Sequence, residues 1–320
     1  MSMIQVKELR KDYKRAIHRR LFKTEYEVKQ AVDGISFEIE EGEMVGYIGS
    51  NGAGKSTTIK ILTGILTPSS GLVKINGLIP YKERKQHAKN IGVVFGQRTQ
   101  LWWELPVNDS FQLLKSIYRV SDTAYNENMK LFNEILDLHQ FIEKPVRQLS
   151  LGQRVRADFA AALLHDPKLI FLDEPTIGLD VLAKEKIRTF MKEVNQKKKA
   201  TILLTSHDMD DIEQVCTRTM ILDSGKIVYD GSISQLKEEY QMDSTIIAQL
   251  ESVPIELPEI PFCQIMLQES AQLILKFPKR KTSAKQVLSQ LFDCCDVKDV
   301  QIKENTVEDI VKEIYRMHHV

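Results

Sequence analysis

The sequence predicts an α/β fold with a mostly parallel β-sheet, followed by a small α+β module. Three observations predict it. From residue 49 to about 235, short apolar runs alternate with helical patterns, as in proteins whose strands run parallel. A glycine-rich loop joins one apolar run to a helical pattern near the start of this stretch. After about residue 240 the pattern changes, and prolines accumulate before shorter elements begin.

The composition argues against several classes of protein. Lysine plus arginine and aspartate plus glutamate are equal at 44 each, whereas a dedicated nucleic-acid binder usually carries a basic surplus. No apolar run approaches the roughly 20 residues of a membrane helix, and Met1–Lys7 lacks the apolar core of a signal peptide. The cysteines form no C-x-x-C pair, so zinc is not expected, and a reducing cytoplasm suits the chain. They are Cys216, Cys263, Cys294 and Cys295.

The N-terminal region predicts β-structure. Residues 4–9 alternate apolar and polar side chains, which favours a strand, and residues 31–48 predict two strands separated at 40–43. Between these elements, residues 14–30 carry a basic cluster that we expect to form a solvated hairpin. The cluster comprises Lys14, Arg15, His18, Arg19, Arg20 and Lys23.

The first chemical motif matches the pattern G-x-x-x-x-G-K-[ST] between an apolar strand, 44–48, and a helical pattern, as the motif requires. Backbone N–H groups of such a loop point at phosphate oxygens, and the positive helix N-terminus adds to the same site. We expect Lys55 to reach the β- and γ-phosphates of a nucleoside triphosphate and Ser56 to ligate Mg²⁺. The motif is Gly49-Ser50-Asn51-Gly52-Ala53-Gly54-Lys55-Ser56, and the apolar helical residues are Ile59, Ile61, Leu62 and Ile65.

The second motif is an apolar strand, 169–172, that ends in Asp173 and Glu174 before Pro175. In a parallel sheet ligands bind at the carboxyl ends of the strands, so both carboxylates are expected beside the phosphate loop. Asp173 is placed to hold Mg²⁺, and Glu174 is placed to polarise an attacking water as a general base. The pair therefore predicts hydrolysis of the bound triphosphate.

The third motif, which we name the signature segment, is Leu149-Ser150-Leu151-Gly152-Gln153, and a helical pattern follows over 154–164. Ser150 is a residue type that caps helix N-termini, and Gly152 allows close backbone approach. The segment would form a second anion site at a helix N-terminus. By itself, however, a serine and a glycine before a helix usually indicate only a cap.

The order of these motifs, together with Gln97, the sequence Gly-Leu-Asp at 178–180 and His207, resembles the nucleotide-binding subunits of ABC transporters. The likeness covers roughly residues 3–235. It implies a P-loop NTPase core of ABC type with an antiparallel β subdomain and a helical subdomain at about 98–165. The domains would be 1–238, which binds ATP, and 239–320, a C-terminal α+β accessory module.

The resemblance also implies catalytic and metal-binding roles. Glu174 would activate water, and His207, after the apolar strand 201–205, would hold the γ-phosphate. Gln97 would sense Mg²⁺ and water, with Gln100 as the alternative. The Mg²⁺ ligands would be Ser56, Gln97 and Asp173. The ATP-binding loop would comprise Gly49, Ser50, Asn51, Gly52, Ala53, Gly54, Lys55, Ser56 and Thr57.

In this family, two ATP molecules lie in the interface between two subunits. The resemblance therefore implies that the signature segment, through Ser150, Gly152 and Gln153, contacts the γ-phosphate held by a partner subunit. Asp180 would link the two sites. Leu151 departs from the commonest signature, L-S-G-G-Q, which has glycine at this position.

The aromatic residue that stacks on adenine has two candidates. The family places it at the end of the first strand, which gives Tyr13. The basic cluster separates Tyr13 from Ala31, and counting back from Ala31 gives Tyr26 instead. We favour Tyr13.

Two segments are candidates for contact with a membrane partner. The pair Trp102-Trp103 either fills the core or docks on a membrane subunit, as exposed aromatic residues suit an interface. The basic hairpin is either only solvated or lies near anionic headgroups or the transporter's cytoplasmic helices, where clustered lysine and arginine gain roughly 1 kcal/mol each. Unchanged transport after removal of the hairpin would contradict the second placement.

The C-terminal module is expected to follow the order ββαβα. Its strands would be 263–267, 272–277 and 297–303, with helices at 283–292 and after Thr306, whereas 243–261 is expected to be a linker or irregular strand. The prolines responsible for that expectation are Pro254, Pro258 and Pro261. The module would stabilise a dimer or, alternatively, sense a ligand.

The resulting hypothesis is an ATP-hydrolysing subunit that powers an exporter of the ABC-2 type by ATP-dependent dimer closure. Its partners would be a second copy or a paralogous ATPase and separate integral membrane permease subunits, at the cytoplasmic face of a prokaryotic membrane. The alternatives are an importer ATPase with a ligand-sensing C-terminal domain, or an ABC ATPase of translation or DNA maintenance. The last is disfavoured because such proteins usually carry paired cassettes, coiled-coil insertions or zinc modules. No nucleic-acid partner is expected.

Overall fold

The computed structural model describes residues 2–20, 23–96, 98–240, 243–252, 257–268, 271–303 and 306–318, with side chains described outside 15–26 and 267–268. The chain divides into two compact units, Met1–Gly231 and Ser232–Val320. The helix Ile233–Glu239 belongs to the second unit.

The first unit contains two β-sheets and a set of helices. Its strands are β1 (Ser2–Arg20), β2 (Lys23–Glu40), β3 (Met44–Gly49), β4 (Ser70–Ile75), β5 (Ile91–Phe95), β6 (Leu169–Asp173), β7 (Thr201–Thr205), β8 (Arg218–Asp223) and β9 (Lys226–Ser232). Its α-helices are α1 (Lys55–Leu62), α2 (Arg84–Ala88), α3 (Val107–Tyr118), α4 (Asp122–Leu136), α5 (Leu151–Leu163), α6 (Val181–Lys198) and α7 (Met209–Val215). Short 3-10 helices span Leu138–Gln140 and Val146–Gln148.

The smaller sheet of this unit is antiparallel, in the order β2-β1-β4. Strands β1 and β2 remain paired through the basic cluster, from Tyr13 opposite Lys29 to Arg20 opposite Lys23. The predicted hairpin is therefore confirmed for the backbone. Ile4 and Val6 alternate into the core, and Leu9 is also buried, after a register shift in the β1–β2 pairing between Val6 and Leu9.

The larger sheet has the order β5-β6-β7-β3-β8-β9, and the pairs β5–β6, β6–β7, β7–β3 and β3–β8 are parallel. Every residue of β3 and β7 is buried, as expected for strands covered on both faces. Because β6, β7 and β3 are parallel neighbours, their carboxyl ends lie at one edge of the sheet. This edge carries the phosphate loop after β3, Asp173 at the end of β6 and Thr205 at the end of β7.

Helices α3, α4 and α5 fall within the segment expected to be a helical subdomain. The Phe190 ring of α6 packs edge-on against Phe132 of α4 and Phe159 of α5, with ring centroids 5.7 and 6.0 Å apart. At the end of α4, the Asp137 carboxylate contacts Lys186 of α6 and lies 3.4 Å from Nη1 of Arg156 on α5. Aromatic packing and this ion-pair cluster thus join the three helices. None of the helices in the described ranges is long and apolar enough to cross a membrane.

The second unit contains α8 (Ile233–Glu239), β10 (Ser244–Leu250), β11 (Gln264–Gln268), β12 (Gln272–Phe277), α9 (Ala284–Cys294), β13 (Val297–Lys303) and α10 (Val307–His318). Its antiparallel sheet has the order β11-β12-β10-β13. The expected pairing of 263–267 with 272–277 is confirmed, but the expectation of a linker or irregular strand at 243–261 is wrong for β10, an inner strand. The prolines dominated that expectation although they lie beyond the strand, whose residues Ile246, Ala248 and Leu250 alternate inward.

Candidate functional site

The phosphate loop, Gly49–Thr57, folds tightly between β3 and α1. The buried Lys55 Nζ donates hydrogen bonds to the carbonyl oxygens of Gly49 at 2.6 Å and Ser50 at 3.2 Å. The N-cap of α1 is Gly54, which has no side chain to cap the helix. The N–H groups of the first turn are therefore available to an anion, as the motif predicts.

Two glycines allow the close backbone approaches on which the site depends. Gly54 has φ +110°, and a Cβ there would overlap the carbonyl oxygen of Ala31 on β2. Gly96 donates its N–H to the Asp173 carbonyl at 2.9 Å, and a Cβ there would overlap the Glu174 carbonyl oxygen. A larger residue at either position would displace the backbone that carries the phosphate loop or the acidic pair.

Asp173 and Glu174 are held by β7. Thr205 Oγ1 donates to Asp173 Oδ1 at 2.7 Å, and the Glu174 N–H donates to the Thr205 carbonyl at 3.1 Å. Glu174 occupies the left-handed region at φ +54°, a conformation that non-glycine residues adopt rarely and often at functional sites. Thr205 was not predicted from the sequence. A threonine at the end of an apolar strand, two residues before His207, could nevertheless have indicated a side chain at this edge of the sheet.

The acidic pair also meets His207, the histidine predicted to hold the γ-phosphate. Glu174 Oε2 lies 2.5 Å from Nδ1 of His207 and accepts the His207 backbone N–H at 3.2 Å. The His207 side chain is 61% exposed, whereas that of Glu174 is 24% exposed. The folded chain thus brings the predicted base and histidine into direct contact, with the histidine on the solvent side.

The phosphate loop and Glu174 line one cleft of about 970 Å³. An adjoining space of about 380 Å³ is lined by Ser56, Asp173, Glu174 and Gly96. Its hydroxyl and carboxylate oxygens are ligands that Mg²⁺ prefers, so these residues fit the cation. Among the described residues no cluster of three or more His, Cys, Asp or Glu side chains could hold a metal ion, and phosphate and water oxygens would supply further ligands.

The electrostatics of the cleft suit a polyanion. Burial lowers the pKa of Lys55, and the nearby carboxylates of Glu174 and Asp173 oppose that shift. A desolvated ammonium group beside open N–H groups attracts phosphate strongly, because little water screens it.

The β1–β2 hairpin forms the end of the cleft where we expect the adenine of the nucleotide. Tyr13 is 41% exposed, lines the cleft and carries the Lys11 ammonium 5.4 Å from its ring centroid. Residues 27–31 of β2 line the same space. The alternative side chain, Tyr26, lies outside the described side chains.

Gln97 lies outside the described residues, but its alternative, Gln100, is described. Gln100 Nε2 donates to the Asp158 carbonyl on α5 at 3.1 Å. Its N–H and the Thr99 hydroxyl donate to Asp158 Oδ1 at 3.1 and 2.8 Å. Gln100 is therefore bound to α5 and is not among the residues that line either space.

The signature segment does not join the phosphate loop of the same chain. Ser150 Oγ accepts the Gln153 N–H at 3.2 Å, and Gln153 Oε1 accepts the Ser150 N–H at 3.0 Å, which completes a capping box at α5. Asp180 caps α6 by accepting the Ala183 N–H at 2.8 Å. Among the described residues that line the two spaces, none belongs to the signature segment, and Asp180 is also absent.

The tryptophan pair lies at the surface. Trp102 is 39% exposed and Trp103 is 47% exposed, and the Arg154 guanidinium lies 5.6 Å from a Trp103 ring centroid. Side chains this exposed do not fill the core, which was the first of the two interpretations of Trp102 and Trp103.

Comparison with known proteins identifies relatives of this chain. Residues 32–177 match the family model described as ABC transporter. The chain is 31% identical to the ABC transporter ATP-binding protein NatA of Bacillus subtilis, covering 68% of this chain and 89% of that protein. It is 34% identical to the methionine import ATP-binding protein MetN 3 of Shouchella clausii (72% and 68% covered). It is 37% identical to the Nod factor export ATP-binding protein I of Neorhizobium galegae (67% and 61% covered).

A solved structure shares the fold. It is the dimeric post-hydrolysis state of the ATP-binding cassette MJ0796 bound to ADP and Pi, with a TM-score of 0.62 and 28% identity. The match covers 72% of this chain and 99% of that chain.

The buried carboxyl of Asp158 predicts a pH-dependent stability. Burial raises its pKa from the ordinary 3.8 to about 6, against the hydrogen bonds from Thr99 and Gln100. The folded protein therefore gains stability as this group is protonated, and loses that gain as the pH rises through 6. Asp158→Asn removes the titration and retains an acceptor, so its stability relative to wild type should rise by about 2–3 kcal/mol between about pH 4 and pH 8. Urea unfolding at both values measures this, and a constant difference would contradict it.

Proposed function

Because this chain belongs to the ABC transporter family and is an ATP-hydrolysing subunit of a transporter, we propose that it drives export by ATP-dependent closure of a dimer. One observation carries the proposal. The phosphate loop, Asp173, Glu174 and His207 meet at one sheet edge, whereas the signature segment lies outside their cleft. A second copy would supply that segment and complete the site.

Within one chain, the residues have separate proposed tasks. Lys55 and the loop N–H groups bind and orient the ATP phosphates, and Ser56 and Asp173 hold Mg²⁺. The cation, when bound, would neutralise charge that develops on the transferred phosphoryl group. The Glu174 carboxylate accepts a proton from the attacking water while the water oxygen bonds to the γ-phosphorus, and the bond from the γ-phosphorus to the β,γ-bridging oxygen breaks to release ADP. The His207 ring, which contacts Glu174 Oε2, orients that carboxylate and would face the γ-phosphate. Gln97 remains the predicted sensor of metal and water.

Across the dimer, the capped N-terminus of α5 would meet the γ-phosphate bound by the partner. The capping box leaves other N–H groups of the first turn, near Gly152, for that contact. When the phosphate approaches, the hydrogen bonds between Ser150 and Gln153 would break or be shared with it. Asp180, at the adjacent helix end, would couple the two sites. The dimeric structure of the related cassette MJ0796 supports this arrangement.

Export is the direction that we propose, with the residues around Trp102 and Trp103 as the main support. Their exposure on the first unit suits docking on a separate membrane permease at the cytoplasmic face. The named relatives include both an importer and an exporter ATPase. The proposed direction therefore depends on the resemblance to ABC-2 type exporter ATPases, which is carried by the sequence 100–106, the signature segment with Leu151 and the short C-terminal module. We further propose domains of 1–238 and 239–320, the second of which stabilises the dimer.

The Glu174→Gln variant tests the catalytic role and the dimer. ATP binding should persist, turnover should fall by about 10²–10⁴-fold because the base is lost, and an ATP-bound dimer should accumulate. Size-exclusion chromatography with Mg²⁺-ATP and a phosphate-release assay measure both. The exposed Glu185 of α6, changed to Gln, is the matched control and should behave as wild type. Wild-type turnover in Glu174→Gln would remove Glu174 as the base.

The same chromatography tests the second unit. A Glu174→Gln chain truncated after residue 240 should form less of the trapped dimer at a given concentration. Undiminished dimer would contradict the stabilising role and leave ligand sensing as the better explanation.

The two tyrosine candidates are distinguished by alanine substitution. Tyr13→Ala should weaken ATP binding by about 1–3 kcal/mol, the usual loss when one aromatic–base stack is removed. Tyr26→Ala, in the same hairpin, should leave the affinity unchanged. Isothermal titration with ATP measures both variants, and the reverse result would move the adenine platform to Tyr26.

The tryptophan surface is tested by affinity capture from detergent-solubilised membranes. Wild type should retain an integral membrane polypeptide, and the double change Trp102→Ala with Trp103→Ala should release most of it while ATPase activity without a partner persists. Phe262→Ala, which alters another exposed aromatic residue, is the control. Equal capture by both variants would exclude the pair as the docking surface.

A further inference from the structure

A carboxylate outside the motifs joins the two loops that carry Glu174 and His207. Asp211 lies on α7 and is completely buried. Its Oδ1 lies 2.6 Å from Nε and 2.5 Å from Nη2 of Arg188 on α6. Its Oδ2 accepts the Thr176 hydroxyl and lies 3.5 Å from that of Ser206.

Each partner of Asp211 is next to a proposed catalytic element. Thr176 follows Glu174 by two residues on the loop after β6. Ser206 immediately precedes His207 on the loop after β7. Oδ2 of Asp211 therefore links the two loops to each other, while Oδ1 links them to α6 through Arg188.

The buried pair of Asp211 and Arg188 is costly to separate. A buried carboxylate is tolerated only when it is paired and hydrogen-bonded, and Arg188 is itself only 15% exposed. Removing one charge would leave the other buried without compensation, so the four groups are held together strongly. Loops at the end of a sheet are in general more mobile than the strands that they follow, so such a link matters there.

The catalytic contact needs such a restraint. Glu174 has the rarely populated φ of +54°, and its carboxylate meets His207 through both the backbone N–H and Nδ1. A small shift of either loop would separate the two side chains. Helix α6 contacts the second loop again, because Lys184 pairs with Asp208 next to His207. The same helix begins at the Asp180 cap, about two turns before Arg188.

We propose that Asp211 is a positioning residue for ATP hydrolysis: with Arg188, it holds the Glu174 and His207 loops in register and connects them to the end of α6 that Asp180 caps. The inference rests on the proposed roles of Glu174 and His207. Helix α6 would thereby transmit changes at the dimer interface to the general base.

Two substitutions test the proposal in the full-length chain. Asp211→Asn retains the shape and one acceptor but leaves the charge of Arg188 unbalanced. Thr176→Val removes only the hydroxyl link and leaves the ion pair intact, so it remains informative if the first variant folds poorly. We expect kcat for ATP to fall about 10–100-fold in Asp211→Asn and less in Thr176→Val, since small misplacement of reacting groups costs such factors. The KM and the affinity for ATP should change less than about threefold, because the phosphate loop is untouched.

Asp137→Asn is the matched control. It weakens another ion-pair cluster on α6 and α5, through Lys186 and Arg156, away from the cleft. Thermal unfolding identifies variants with equal loss of stability, and Asp137→Asn should retain wild-type kcat. Equal loss of kcat in this control, or full kcat in folded Asp211→Asn and Thr176→Val, would overturn the inference. Glu174→Gln assayed alongside separates the two failures: if that variant also hydrolyses ATP at the wild-type rate, the proposed catalytic role of Glu174 fails.

Discussion

The parallel pairing of β3, β7 and β6 is the constraint on which the rest of the site depends. Because neighbouring parallel strands end at the same edge, Gly49, Thr205 and Asp173 converge although they are far apart in the chain. Asp173 and Glu174 then line one space together with Ser56 of the phosphate loop. The hydrogen bonds from Thr205 to Asp173 and from the Glu174 N–H to β7 follow from that convergence.

Positive and negative groups lie on different segments of this edge. The phosphate loop presents a buried ammonium group and an open helix N-terminus, whereas β6 presents two carboxylates. A polyphosphate can bridge the two sides, with Mg²⁺ compensating the carboxylates. The signature segment is not among the described residues that line this cleft, so the proposed completion by a second subunit is chemically sensible. A site completed in this way couples phosphate binding to a change in assembly, which a transporter can use.

The contiguous part of the site could be predicted residue by residue. The loop from Gly49 to Thr57 is a single backbone conformation whose glycines and lysine are read directly from their spacing. The acidic pair was also predictable, because an apolar strand places its last residues at a known edge. In contrast, the surroundings of Gln100 needed the fold: its side chain donates to α5, a contact between segments distant in sequence. Strand β10 was missed because nearby prolines outweighed a short inward alternation.

The phosphate chemistry, the order of the motifs and the α/β class could all be predicted from the chain, because each depends on residue types at short, fixed spacings. The contact between Glu174 and His207, the exposure of Trp102 and Trp103, and the link from Asp211 through two loops to α6 become visible only in the folded protein. Those facts depend on which distant segments pack together and on which charges are desolvated as they do so. A buried carboxylate such as Asp211 looks in the sequence like any acidic residue of a surface helix, and only burial beside Arg188 distinguishes it.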